Sequence, residues 1–133
     1  MIKNQNAKIK MQNDKVKFKI EFKRRLYSFI LKLIEVIENL PHDRVCYILG
    51  DQLLRSSTSI LGNYIEGQAA SSKKDFIKYF EISLKSANES KVWLCVLRDR
   101  NKIPREKSEW FINELNEISN IFGSSVLTLK GKR

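Results

Sequence analysis

The side chains best able to bind a metal ion or to act as a nucleophile are His42, Cys46 and Cys95, and their spacing argues against both roles. His42 is the only histidine and stands beside a proline, which favours a solvated loop residue over a general base. The cysteines form no C-x-x-C pair, so a zinc site is not expected, and we interpret both as small apolar core residues. The sequence therefore predicts no catalytic residue, no metal site and no cofactor.

A line of polar residues dominates the helix that we predict between Asp43 and Gly67. At 100° per residue its members fall within about 80° of one another; they are Gln52, Arg55, Ser59, Asn63 and Glu66. Two interpretations are open: a solvated face, or an enclosed line in which Arg55, Glu66 and Glu89 satisfy one another inside one bundle or between bundles. Apolar residues on both flanks favour enclosure. An enclosed ion pair would serve specificity more than stability.

The same helix carries more apolar surface than one bundle core needs. One apolar stripe holds Leu49, Leu53, Ile60 and Tyr64, and a second holds Leu54, Leu61 and Ile65. A single stripe suffices to face one core, so the second predicts an interface with other copies of the chain. Small residues, among them Ser56, Ser57, Ser83 and Ser90, predict a close approach to the following helix.

The net charge of +10 lies at the two ends of the chain. Residues 1–25 carry nine basic and two acidic residues, the last four carry three basic residues, and residues 26–129 are balanced. Such ends attract phosphate without regard to base sequence; the alternative is a solvated, frayed tail. The candidate nucleic-acid contacts are Lys15, Lys17, Lys19, Lys23, Arg24, Arg25, Arg55, Lys73, Lys74, Lys130, Lys132 and Arg133.

Composition bounds the class of protein. A chain of 133 residues with 42% apolar residues predicts a single domain with a real core rather than a disordered chain. Two cysteines fit a reducing cytosol, and we expect a cytoplasmic protein. The longest uncharged run, residues 56–65, is too short to span a membrane, and the Lys-rich start does not read as a signal peptide.

Apolar spacing predicts four helices and no strand. Steps of 3 and 4 residues place the first from about Asp14 to Leu40, ended by Pro41. A capping sequence at Ser72 begins the third, which lasts to about Arg100, and the fourth begins near Pro104. We therefore predict a basic flexible arm (1–13), an all-α antiparallel up-down-up-down four-helix bundle (14–129) and a basic tail (130–133).

Three segments then resemble a known family. They are QLLRSSTSILGNYIEG (52–67), SSKKDF (71–76) and ISLKSANE (82–89). They are similar to the bacterial four helix bundle proteins, also called 23S rRNA intervening sequence proteins, over about residues 22–129. Signature positions are held by Arg55, Ser59, Asn63, Glu66, Asp75, Phe76 and Glu89, whereas Ser57 and Tyr64 are mild departures.

The resemblance implies a homopentameric ring with a central channel. Residues 117–125 are also similar to a related branch, the accessory variability protein of diversity-generating retroelements, which implies nucleic acid and a reverse transcriptase as partners. We expect a non-enzymatic homo-oligomer that binds RNA or DNA backbone and no membrane. The alternative is a scaffold that docks a partner protein without direct nucleic-acid binding.

Overall fold

The computed structural model describes residues 2–131, with side chains from residue 4 onward, and this part of the chain forms four helices and no strand. The helices are α1 (Ile2–Glu38), α2 (Arg44–Gln68), α3 (Lys73–Asp99) and α4 (Arg105–Leu129). Every predicted boundary except the start of α1 agrees to within two residues. The all-α prediction is confirmed over this range.

The predicted start of the first helix near Asp14 is wrong, because the chain is already helical from Ile2. Residues 1–40 contain neither glycine nor proline, and lysine, glutamine, alanine and methionine favour helix. Nothing therefore ends the helix on its N-terminal side, and most of the predicted arm (1–13) is helical. Every side chain from residue 4 to residue 21 is exposed; we call these residues the α1 extension.

The capping predictions at two helix starts are confirmed. The Asp43 carboxylate accepts a hydrogen bond from the Cys46 backbone N–H at 2.8 Å, and the Ser72 hydroxyl accepts one from the Asp75 N–H at 3.1 Å. Each bond satisfies one of the free amides of a first helical turn. The Cys46 amide and Lys102 hold the pKa of Asp43 below its usual value.

One aromatic residue from each helix meets in a single layer of the core. Phe22, Tyr64, Phe80 and Phe122 form five pairs with ring centroids 5.1–6.0 Å apart, and none is more than 5% exposed. We call this set the aromatic layer. In this layer Phe22, the first of the described α1 side chains to be buried, lies beside the C-terminal part of α2, the N-terminal part of α3 and the C-terminal part of α4.

The predicted core seams are buried along most of their length. On α1 the steps of 3 and 4 residues predict the seam Phe18, Phe22, Leu26, Phe29, Leu33, Val36 and Leu40, of which Leu26, Phe29 and Leu33 are at most 2% exposed. Leu94 and Leu97 of the α3 seam are fully buried, and the first four members of the α4 seam, Phe111, Leu115, Ile118 and Phe122, are buried as well. Phe18, the first member of the α1 seam, differs because it is 53% exposed. It lies one helical turn before Phe22, where it lines an open groove together with residues of the other three helices instead of the closed core.

Serines hold α2 and α3 close together, as their small size predicts. The hydroxyls of Ser56 and Ser90 are 2.7 Å apart, and the Ser83 hydroxyl donates to the Ile60 carbonyl oxygen at 2.9 Å. All three serines are fully buried. Their hydroxyls are therefore satisfied inside the bundle, which removes the cost of burying them.

Candidate nucleic-acid interface

Five lysines surround an open concavity on the outer side of α3. They are Lys73, Lys74, Lys78, Lys85 and Lys130, and they share the concavity, of about 930 Å³, with Asp75 and Glu81. We call it the basic groove. The Lys130 ammonium lies 3.1 Å from the Glu81 carboxylate, so five cations face two acids and an excess of positive charge remains.

The sequence prediction included Lys73, Lys74 and Lys130 but missed Lys78 and Lys85. Lys74, Lys78, Glu81 and Lys85 are spaced by 4, 3 and 4 residues, which places them on one face of a helix. That spacing was the available signal. The α3 lysines therefore form a basic surface along one face of the helix, and they are not limited to the pair at its start.

The α1 extension is a second basic surface. It carries Lys8, Lys10, Lys15, Lys17 and Lys19 against Asp14 and Glu21, and all of these side chains are exposed. Only Lys17 lies near one of the two carboxylates, 3.9 Å from Glu21. Lys23 and Arg24, which follow directly on α1, are exposed as well.

The two basic surfaces lie at the same end of the bundle. Phe22, which follows the α1 extension, packs against Phe122 of α4 and Tyr64 of α2, and Tyr64 packs against Phe80 near the start of α3. The basic start of the chain, the lysines of α3 and Lys130 therefore lie at the same end of the bundle. We call this region the basic end. Lys132 and Arg133, also predicted as contacts, lie outside the described residues.

Two predicted contacts do not belong to the basic end. The Arg25 side chain is held by Glu114 and Glu117 of α4; its Nε donates to Glu114 at 3.1 Å, and these bonds raise the pKa of Arg25. Arg55 lies in the middle of α2, where its Nη2 donates to Glu89 at 2.5 Å and to Gln52 at 2.8 Å. Both guanidinium groups already have carboxylate partners.

The polar line of α2 is only partly enclosed within one chain. Ser59 and Asn63 are half-buried, joined by a 2.9 Å hydrogen bond from the Asn63 amide to the Ser59 hydroxyl. Arg55 and Glu66 are exposed, and the partner of Arg55 is Glu89 rather than Glu66. Enclosure of the whole line inside one bundle is therefore wrong, whereas enclosure between copies stays a prediction.

An aromatic groove of about 650 Å³ opens at the basic end, beside the α1 extension. Its apolar lining consists of Phe18, Phe22, Tyr64, Phe76, Phe80, Ile121 and Leu129. Lys15 and Lys19 stand at its α1 side, and Gln68, Ser124, Ser125 and Thr128 line it with polar atoms. The signature residue Phe76 is thus a half-buried wall of this groove, whereas its neighbour Asp75 belongs to the basic groove.

Sequence reasoning also missed an apolar stripe on the side of α1 that faces away from the core. It consists of Ile9, Val16, Ile20, Tyr27 and Leu31, each 51–56% exposed. Their spacing of 7, 4, 7 and 4 residues keeps them on one helix face, and that spacing was the available signal. We call this set the outer α1 stripe.

The histidine and the two cysteines, whose side chains could bind a metal ion or act as nucleophiles, lie apart from the basic end. His42 is exposed, with its Nδ1 3.2 Å from the Tyr47 hydroxyl oxygen. Cys46 is buried, which raises the pKa of its thiol, and Cys95 is half-buried. Within residues 4–131 no group of histidine, cysteine and carboxylate side chains is arranged to hold a metal ion.

None of the helices in the described part of the chain combines the length and the apolar character that a membrane crossing requires.

Comparison with known proteins confirms the family resemblance. The family model described as 23S rRNA-intervening sequence protein matches residues 19–124. A solved structure of similar fold is a protein of unknown function from the S23 ribosomal protein family of Bacteroides thetaiotaomicron. It is 33% identical, the match covers 78% of this chain and 96% of the other, and the TM-score is 0.73. No curated protein matches.

Proposed function

The chain belongs to the 23S rRNA-intervening sequence protein family, and we propose that it is a non-enzymatic protein that binds the sugar–phosphate backbone of RNA or DNA. The observation that carries the proposal is the basic end, where the exposed lysines of the α1 extension and the basic groove of α3 and α4 lie at the same end of the bundle. Lysines bind phosphate by releasing condensed counterions, an attraction that needs no base contact.

The experiment is a salt titration of fluorescence anisotropy with a mixed-sequence RNA. One variant replaces Lys15, Lys17 and Lys19 by glutamine, a second replaces Lys73, Lys74 and Lys78, and a matched control replaces Arg44, Arg100 and Lys107 at the opposite end. Each removes three exposed positive charges.

The first two variants should bind more weakly, and the slope of log K against log salt should flatten by up to about 0.7 to 0.9 per lost phosphate contact. The control should retain the slope of the intact protein. Equal losses in all three variants would indicate attraction by net charge alone, and no binding at about 50 mM salt would reject the proposal.

We further propose that the four helices run antiparallel in up-down-up-down order and that the bundles assemble into a homopentameric ring. The helix order is supported by the short connections (39–43, 69–72 and 100–104) and by contacts that pair the ends of successive helices. Assembly is supported by apolar side chains that one bundle leaves exposed, although Ile65 is the only largely exposed member of the predicted α2 stripe, at 42%. Leu54 and Leu61 are half-buried.

Sedimentation equilibrium tests the assembly. The mass should be a multiple of 15.6 kDa, with five copies the favoured number. A ring would place several basic ends on one nucleic acid and multiply a weak affinity. A monomer at micromolar concentration would contradict the assembly without rejecting backbone binding.

A second candidate function, a scaffold for a partner protein, is favoured by the outer α1 stripe. Its five exposed apolar side chains are spread over 23 residues of one helix, from Ile9 to Leu31, with exposed polar residues between them. Exposed apolar surface that shares one helix face often marks a protein contact. The resemblance of residues 117–125 to the retroelement accessory protein makes a reverse transcriptase the partner to test. Co-purification with such an enzyme that is lost on Ile20→Ser, a change that adds no charge, while RNA affinity is unchanged would favour this function.

A further inference from the structure

The aromatic groove offers flat ring faces to solvent. Phe18 is 53% exposed as a residue, and its ring stacks on Phe22 with centroids 5.8 Å apart and planes 13° apart. On the opposite wall Phe76, half-buried, packs on Phe80 at 4.2 Å. Phe22 and Phe80 belong to the buried aromatic layer, so each outer ring rests on a ring that packing holds in place.

The aromatic groove is continuous with the basic groove. Phe76 and Leu129 line both the aromatic groove and a shallow concavity next to it, which also contains Lys73. Lys73 in turn lines the basic groove. An unbroken surface therefore leads from Lys15 and Lys19, past the aromatic rings, to the lysines of α3.

We infer that the aromatic groove receives unpaired nucleobases, so that the protein prefers single-stranded RNA or DNA to a duplex. The inference rests on the proposed backbone binding and adds base stacking to it. Basic residues on both sides of an aromatic platform are the combination with which proteins bind single strands: lysines follow the backbone and bases stack on the rings. In a duplex the bases are already stacked and paired, and their faces are inaccessible.

The lining of the groove favours a nucleobase over an apolar peptide or a second copy of the chain. Three polar side chains of the lining, Gln68, Ser124 and Thr128, can hydrogen-bond base edges. The Ser125 hydroxyl donates to the Ile121 carbonyl oxygen at 2.9 Å and can therefore only accept a hydrogen bond from a base. Asp14 is the single acid of the lining, against Lys15 and Lys19, and this balance is complementary to a polyanion. A second copy would bring the same lysines and add to the positive charge.

The experiment compares three probes of equal length at one salt concentration: a single-stranded uridine oligonucleotide, its abasic analogue and an RNA duplex. The test variants are Phe18→Ala and, as a rescue, Phe18→Tyr. The matched control is Tyr27→Ala, which removes an aromatic ring of similar exposure, 56%, from the opposite face of α1.

The intact protein should bind the uridine strand more tightly than the abasic strand. Phe18→Ala should weaken binding of the uridine strand about fivefold to a hundredfold, the range of base–aromatic stacking, and leave the other two probes unchanged. Phe18→Tyr should restore the preference, and Tyr27→Ala should have no effect. A 2-aminopurine base in the strand should be quenched by the intact protein and not by Phe18→Ala.

Three results would overturn the inference. Equal affinity for the uridine and abasic strands would leave backbone binding intact and remove base stacking. If the Phe18→Ala protein keeps the preference for single strands, the bases bind elsewhere. If Phe18→Ala changes the sedimentation mass but not the ratios of affinity between the probes, the groove is a contact between copies of the protein. If the intact protein binds none of the probes, the proposed function fails as well.

Discussion

Replacing Gly67 by alanine should destabilise the bundle at the floor of the aromatic groove. A Cβ atom built at Gly67 would lie 2.9 Å from Phe80 Cδ1, 3.0 Å from Phe80 Cε1 and 3.3 Å from Tyr79 Cβ. Real Cβ atoms do not approach so closely, and Phe80 cannot simply turn away because its ring packs between Tyr64 and Phe122.

The magnitude follows from two opposing terms. Overpacking a core costs about 1–3 kcal/mol, whereas replacing glycine by alanine inside a helix gains up to about 1 kcal/mol. Gly62 is the matched control on the same helix, since a Cβ atom there would meet nothing within 4 Å. Gly67→Ala should therefore be less stable than Gly62→Ala by about 1–3 kcal/mol, the size of the overpacking term.

Urea denaturation of both variants, followed by circular dichroism, measures this difference. Equal stabilities would refute the close packing of α2 on Phe80. A loss of stability in Gly62→Ala instead would place the exposed side of α2 in an interface between copies.

Three further changes test other parts of the account. Phe122→Ala, at a fully buried position of the aromatic layer, should cost about 3–5 kcal/mol in urea denaturation; a cost below about 1 kcal/mol would contradict that packing. Arg55→Ala should cost about 0.2–1 kcal/mol in dilute protein, because the pair with Glu89 is largely exposed, and a larger loss at concentrations where copies assemble would support enclosure between them. The pKa of Asp43 is lowered in the folded protein. Asp43 therefore contributes its full stabilisation above the pKa of the unfolded chain, about 3.9. This stabilisation disappears as the pH falls through the pKa of the folded protein. Asp43→Asn keeps a capping acceptor but should abolish that part of the acid dependence, and an unchanged pH profile would refute the assignment.

The sequence predicted the fold well because the signals for helix ends and core seams are local. Pro41 follows the end of α1 by three residues, and Asp43 and Ser72 directly precede the first residues of α2 and α3. The start of α1 was wrong for a physical reason: the Lys- and Asn-rich segment resembles a solvated tail in composition, yet it contains no residue that ends a helix. Composition indicated a solvated tail there, whereas helix propensity indicated a helix, and the structure agrees with helix propensity.

The candidate site was less predictable, because it depends on which helix faces which. Angles around α2 placed Arg55 and Glu66 on one line but could not show that α3 would present Glu89 to Arg55. Phe18 follows the same spacing as the buried seam, and only the structure shows that it lines an open groove instead of the closed core. That the α1 extension and the α3 lysines lie at the same end of the bundle likewise follows only from the packing of the helices.

Lysine footprinting with and without a bound single-stranded RNA tests the basic end most directly. Acetylation of the exposed lysines, read by mass spectrometry, should slow at Lys15, Lys19, Lys73 and Lys74 when RNA is present. Lys107, exposed at the opposite end, should react at an unchanged rate. Protection confined to the basic end is the result that the account predicts; equal protection of Lys107, or no protection under conditions where RNA is bound, would contradict it.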